Sequence, residues 1–165
     1  MQFETSSTRL PAVRPAPVRA IAALNTHDTP SFAAWLEGAD IDDAERLGFF
    51  TTEAARDARA DRQADRQALA GFLQDRGLAP AAPTSGDLMR GALAYLAGSR
   101  SRMILVNLED LWLEMGRQNI PGTTGDQHPN WRRKAARTLE EIEVDAEVNA
   151  TLRSVHVART AGSNG

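Results

Sequence analysis

The sequence has no cysteine at all. Disulfides, thiolate zinc sites and a cysteine nucleophile are therefore excluded, and the composition fits a cytoplasmic chain. No uninterrupted apolar run reaches the roughly 18 residues that a membrane-spanning helix needs, so no membrane is expected as a partner. The opening stretch, MQFETSSTRL, has neither a basic start nor an apolar segment and does not read as a signal peptide. Positive charge is not in excess. The net charge is −3 and the pI about 5.6, which argues against a nucleic acid held through its phosphates. His27, His128 and His156 lie far apart without ligand spacing, so no metal site is expected.

What is present suffices for one ordinary domain: 165 residues, 42% of them hydrophobic. Residues 5–19 hold Pro11, Pro15 and Pro17 and read as an extended connection. Two short apolar runs, VRAIAAL at 18–24 and MILVN at 103–107, have the character of strands buried on both faces. MQFE at the start could be the tail of another. Between these runs the pattern is helical. Thr29-Pro30 offers a helix start and Gly38 a stop; residues 40–47 form a short helix ended by Gly48. Thr52 opens a long helix with Ala54, Ala58, Leu69, Phe72 and Leu73 as apolar members and Gly77 at its end. Its Asp57, Asp61 and Asp65, set among Arg59, Arg62 and Arg66, read as a solvated face laced by pairs along the helix. Thr84 or Ser85 caps the next helix, which buries Leu88, Met89, Ala92, Leu93 and Leu96. LEDLWLEM after the second strand is a helical turn with an aromatic anchor, and residues 116–134 are irregular. TLEE at 138–141 is a capping box, and 145–158 read as the last helix. Residues 1–160 are expected to form one unit and 161–165 a disordered tail.

Strand, loop, helices, strand, long loop, helices is the organisation of βα units: a predominantly helical α/β chain with two clear buried strands. In such folds the loops after the strands carry the chemistry. The loop after the first strand sets His27 beside Asp28. On one reading Asp28 caps the following helix and His27 is a satisfied polar residue. On the other, the carboxylate faces a sugar ring, where it stabilises an oxocarbenium-like transition state while the imidazole holds a ring hydroxyl. The stretch NIPGTTGDQHPNWRR, starting at Asn119, follows the second strand. It has plain Pro-Gly turn chemistry pinned by Trp131, but it also stands where a barrel would place another active-site loop.

Taken together, LNTHDTPSFAAWLEGADI, LVNLEDLWLE and NIPGTTGDQHPNWRRK resemble the C-terminal part of glycoside hydrolase family 77, the 4-α-glucanotransferases. The resemblance covers nearly the whole chain. It implies the C-terminal fragment of a (β/α)8 TIM barrel, roughly the last third of the enzyme. It assigns Asp28 as the catalytic transition-state stabiliser and His27, Asn119, Pro121 and Gly122 to substrate binding. The substrate implied is an α-1,4-glucan, a segment of which passes to the 4-hydroxyl of an acceptor by retaining double displacement, with no cofactor. The family's aspartate nucleophile and glutamate acid/base precede the strand that MQFE resembles, so the partner implied is a missing N-terminal barrel portion. Glu109-Asp110 follows the later strand and cannot replace them. The length agrees, since a full barrel takes about 250 residues. The alternative is a non-catalytic fragment or interaction module that complements a separate N-terminal chain. From the resemblance, the pure 165-residue chain should release no glucose from maltotriose above a buffer blank, because double displacement cannot begin without its nucleophile. Measurable release would overturn this expectation.

Overall fold

The computed structural model describes residues 11–162, so MQFE lies outside the described residues. The elements run β1 (Ile21–Ala22), α1 (Phe32–Glu37), α2 (Ala39–Arg46), α3 (Thr52–Gln74), α4 (Ser85–Ala97), β2 (Met103–Ile104), α5 (Leu108–Leu111), α6 (Leu139–Val144) and α7 (Ala146–Gly162). β1 and β2 pair in parallel, Ile21 opposite Met103 and Ala22 opposite Ile104. The chain is thus mostly helical, with one parallel strand pair joined by a long helical crossover.

The helix boundaries follow from local chemistry. Thr84 and Asp87 form a reciprocal capping box at the start of α4, and Thr138 and Glu141 do the same for α6. Asp87, held by the Thr84 hydroxyl and amide and by Arg90, has its carboxyl lowered to about 2. Two expected starts are displaced by one or two residues. α1 is capped by Ser31, whose hydroxyl accepts from the Ala34 N–H, and α3 by Thr51 rather than Thr52. Gly38 ends α1 at φ +81°, a left-handed turn that suits glycine. α7 continues through Gly162, beyond the residue 158 at which the sequence pattern fades.

α4 is the centre of the core. Leu88, Met89, Ala92, Leu93 and Leu96 are buried on it, as the periodicity predicts. Against them pack Leu69, Phe72 and Leu73 of α3, Phe32 and Leu36 of α1, and Val148 of α7. Ala55, not Ala54, is the buried alanine at the start of α3. The Phe72 and Tyr95 rings meet edge to face, 4.9 Å between centroids. From the proline-rich connection, Ala12 and Val13 reach the same core.

Two further expectations are corrected. Arg56 pairs with Glu53 and Asp57 along α3 itself, but Arg59, Arg62 and Arg66 also bridge to α1 and α2. Arg59 reaches Asp42 at 2.7 Å and Glu45 at 2.8 Å, Arg66 reaches Glu37 at 3.1 Å, and Arg62 grips both oxygens of Asp40 while donating to the Trp35 carbonyl. The guanidinium fork favours a carboxylate it can hold with two donors, and Asp40 and Asp42 lie in the first turn of α2, where the helix dipole already favours negative charge. Secondly, the strands are short and, until the first run becomes fully buried at Ala23 and Leu24, are covered mainly on one face. Ala22 and Ile104 turn toward the helices, whereas Ile21, Met103 and Leu105 are about half exposed. Side chains alternate along a strand, so Ile21, Met103 and Leu105 share the less covered face. No helix of the described residues is long and apolar enough to cross a membrane.

Gly91 shows how tightly the core is closed. A Cβ there would lie 2.5 Å from the Leu78 carbonyl oxygen and 3.1 Å from Leu73 Cδ1. Gly91→Ala should therefore destabilise the chain by about 1–3 kcal/mol although alanine is the better helix former. Thermal melts of the two forms check this, and an equal or higher Tm for the alanine variant would contradict it.

Candidate active site

The site is built where the chain leaves the two strands. Leaving β1, Asn25 is buried and the chain then turns outward at Thr26. The Thr29 hydroxyl accepts from the Thr26 N–H and donates to its carbonyl, and the Thr29 N–H also bonds that carbonyl. This closed turn leaves His27 and Asp28 exposed at its tip. The loop returns at Ser31, whose hydroxyl bonds the Glu114 carbonyl, and enters α1. Leaving β2, Asn107 and the short α5 place Asp110 underneath this loop, 1% exposed. Asn25 donates to both oxygens of Asp110, at 2.8 and 2.7 Å, and the Phe32 N–H donates to one of them at 2.8 Å.

The third contributor is the irregular segment after α5. Asn119 Nδ2 donates to Asp28 Oδ1 at 2.6 Å, across 91 residues of sequence, and Arg117 donates to the Asp28 carbonyl at 3.3 Å. His27 Nε2 lies 3.3 Å from the other Asp28 oxygen. The His27 ring is also tilted against Trp131, 5.3 Å between centroids. Trp131 has φ +62°, a left-handed conformation rare for so large a side chain, held by its N–H to the Gln118 carbonyl. Asn130 fastens the segment from within: its side chain accepts from the Ile120 N–H and donates to the Thr123 hydroxyl. Between the segment and the strand ends runs a cleft of about 280 Å³, whose lining includes Ile21, Asn25, His27, Leu105, Glu109 and Arg117.

Two carboxyl groups here depart from ordinary behaviour. Burial pushes the Asp110 carboxyl up, against the hydrogen bonds from Phe32 and Asn25 that favour the anion. Burial acts in the same sense on Glu114 but is outweighed by the Gly116 N–H and the Arg133 guanidinium, 2.9 Å away, so this carboxyl falls below its usual value. Gly116 is needed for that pairing, because a Cβ there would occupy the space of the Arg133 guanidinium.

Of the residues singled out from the sequence, His27, Asp28 and Asn119 come together. Pro121 and Gly122 do not join them. They form the corner of a turn closed by the Thr123 N–H on the Ile120 carbonyl, with Gly122 at φ +84°, and make no hydrogen bond to His27 or Asp28. Among the described residues no N–H of α1 donates to the Asp28 carboxylate, so Asp28 is not the cap of that helix; Ser31 is. Sequence reasoning missed Arg117 and the Asn25–Asp110 pair. The available signal was an asparagine closing each apolar run, Asn25 and Asn107, a polar residue where a buried strand ends.

Residues 1–139 match the family model described as 4-alpha-glucanotransferase, glycoside hydrolase family 77. The chain belongs to that family. It is 31% identical to the 4-alpha-glucanotransferase of Haemophilus influenzae over 152 residues, which cover 86% of this chain and 21% of the relative. It is 31% identical to that of Mycobacterium bovis, with 96% of this chain and 24% of the relative covered. Among solved structures it resembles the amylomaltase from Corynebacterium glutamicum with a TM-score of 0.68 and 26% identity, over 87% of this chain and 22% of that one. The chain thus spans about a fifth to a quarter of the length of the relatives it matches.

The Glu114 geometry yields a signed expectation. A carboxyl lowered on folding contributes stability that is complete above its unfolded value, about pH 4.3, and is lost as the pH falls through the lower folded value. Glu114→Gln should cost about 1–2 kcal/mol at pH 7, read as a lower Tm. The gap to the unaltered chain should close as the pH is taken down to about 3. A gap that widens on acidification would show that Glu114 is not held as the anion.

Proposed function

We propose that this chain supplies one part of the active site of a 4-α-glucanotransferase, the C-terminal portion of a (β/α)8 barrel whose Asp28 stabilises the sugar cation in the transition state. Supporting this reading above all is the meeting of two distant motifs: the His27-Asp28 loop after β1 and the Asn119–Trp131 segment after α5 are joined by the Asn119–Asp28 hydrogen bond. Both lie beyond the C-terminal ends of parallel strands, where β/α folds place their chemistry.

The roles follow from the geometry. Cleavage of an α-1,4 bond develops positive charge over C1 and the ring oxygen, and a half-exposed carboxylate beside the ring lowers the energy of that state more than of the neutral ground state. Asn119 and His27 hold the two Asp28 oxygens, which fixes the direction in which the anion faces and removes the need to reorganise during reaction. His27, braced by Trp131, is placed to hydrogen-bond a ring hydroxyl. The carboxylate nucleophile and the acid/base would come from the part of the relatives' length that this chain does not span. The acceptor hydroxyl then displaces the enzyme carboxylate from C1, giving retention.

The test is a composite enzyme in which this chain replaces the matching fifth of the Corynebacterium glutamicum amylomaltase. Maltotriose disproportionation should be retained. Asp28→Asn, which keeps the shape and removes the charge, should lower kcat by about 10²-fold or more with little change in KM. His27→Ala should be milder and should raise KM as well, because a hydroxyl contact exists in both ground and transition states. An unaltered kcat for Asp28→Asn would sink the assignment.

A further inference from the structure

The direction of every hydrogen bond beneath the His27-Asp28 loop is determined. It starts from a backbone carbonyl, which can only accept. Asn107 donates its Nδ2 to the Asn25 carbonyl at 3.0 Å and also to Asn25 Oδ1. That fixes which way the Asn25 amide faces: its oxygen is toward Asn107 and its NH2 toward Asp110. Asp110 therefore receives donors only, from Asn25 on both oxygens and from the Phe32 N–H. Asn25 begins the loop and Phe32 ends it. One carboxylate, fully buried, grips both ends of the eight-residue stretch 25–32 that carries His27 and Asp28.

We propose that Asp110 is a positioning residue for the transfer reaction: as an acceptor-only group it closes the loop at both ends and so sets where His27 and Asp28 stand beside the cleft. What the loop does rests on the function proposed above; how it is held does not. Asp110 touches neither His27 nor Asp28, and its influence passes through the loop backbone.

The polarity of the network supplies a test that mere burial cannot mimic. Asp110→Asn presents an NH2 where Asn25 already presents one, and neither Asn25 nor Asn107 can turn over without facing like atoms. Asn25→Asp sets two carboxylates against each other. Exchanging the pair, Asn25→Asp with Asp110→Asn, relieves the opposed carboxylates: Asn at 110 accepts from Phe32 and donates to Asp at 25, which accepts from Asn107, and only the second Asn25–Asp110 contact is not restored. Amide exchange in the 165-residue chain reads the outcome directly. Each single change should speed exchange at the Phe32 N–H relative to Ala92 in the core, Asn25→Asp the most, by about 10- to 100-fold, and the exchanged pair should recover about tenfold of the loss seen in Asn25→Asp. In the composite enzyme, kcat should fall by about 10- to 100-fold in Asn25→Asp, with a rise in KM because His27 is displaced as well, and both should improve in the pair. Where a single variant does not fold, recovery of the fold in the exchanged pair supports the clamp equally. Singles that leave Phe32 unchanged, or a pair no better than the worse single, would overturn the proposal. A composite enzyme that is inactive even without substitution would count against glucan transfer alone, since the exchange rates still decide the clamp.

Discussion

A carboxylate deprived of water must be given donors, and the end of the strand pair is organised around meeting that demand for Asp110. Its partners are not spare groups. One is an asparagine three residues past β1, another the backbone of α1, and the third side chain of the network is Asn107, three residues past β2. A hydrogen-bonded carboxylate of this kind ties strand, loop and helix together, because each partner sits on a different element and an unmet donor in a buried site costs about 1–3 kcal/mol. The two exposed groups at the loop tip can then be polar and solvated, since the fold below them does not depend on their packing.

The helices are organised differently. α3 is 23 residues long, but its apolar contacts gather in its last third, at Leu69, Phe72 and Leu73. Its first two thirds bury only Ala55 and are otherwise held by arginines reaching to α1 and α2. Only Arg62–Asp40 among these pairs is largely sheltered from solvent, and the others are the exposed kind that contribute little each. α1 and α2 are thus fixed through one buried guanidinium fork together with Phe32, Leu36 and Ile41 in the core.

The readable parts of this fold were those whose causes are local. The capping box at Thr138, the stop at Gly38 and the apolar stripe of α4 each depend on residues close in sequence, and the sequence alone located them. The partners of Arg59, Arg62 and Arg66 could not be found that way, because fourteen to twenty-nine positions separate them from the acids they grip. Likewise β1 and β2 read as doubly buried because an apolar run carries no mark of how many faces are covered. In the site, the pairing of His27 and Asp28 was plain and Asn119 stood in a recognisable motif. That Asp110 lies under the loop, and that Pro121 and Gly122 form a turn without a hydrogen bond to His27 or Asp28, depends on contacts that no local pattern records.

The hydrogen bond between Asn119 and Asp28 closes a loop of 91 positions, and this bears on how the molecule assembles. Helices and their caps form from neighbours in sequence within about a microsecond. A contact so distant must wait until the crossover from β1 to β2 is complete, since its closure entropy has to be met before it returns any stabilisation. The site is thus a late product of folding, joined at the surface by exposed groups, and contacts so few and so exposed open more readily than those of the core. An arrangement of this kind lets the two loops part without disturbing the scaffold beneath them, because the contact that joins them lies outside the core.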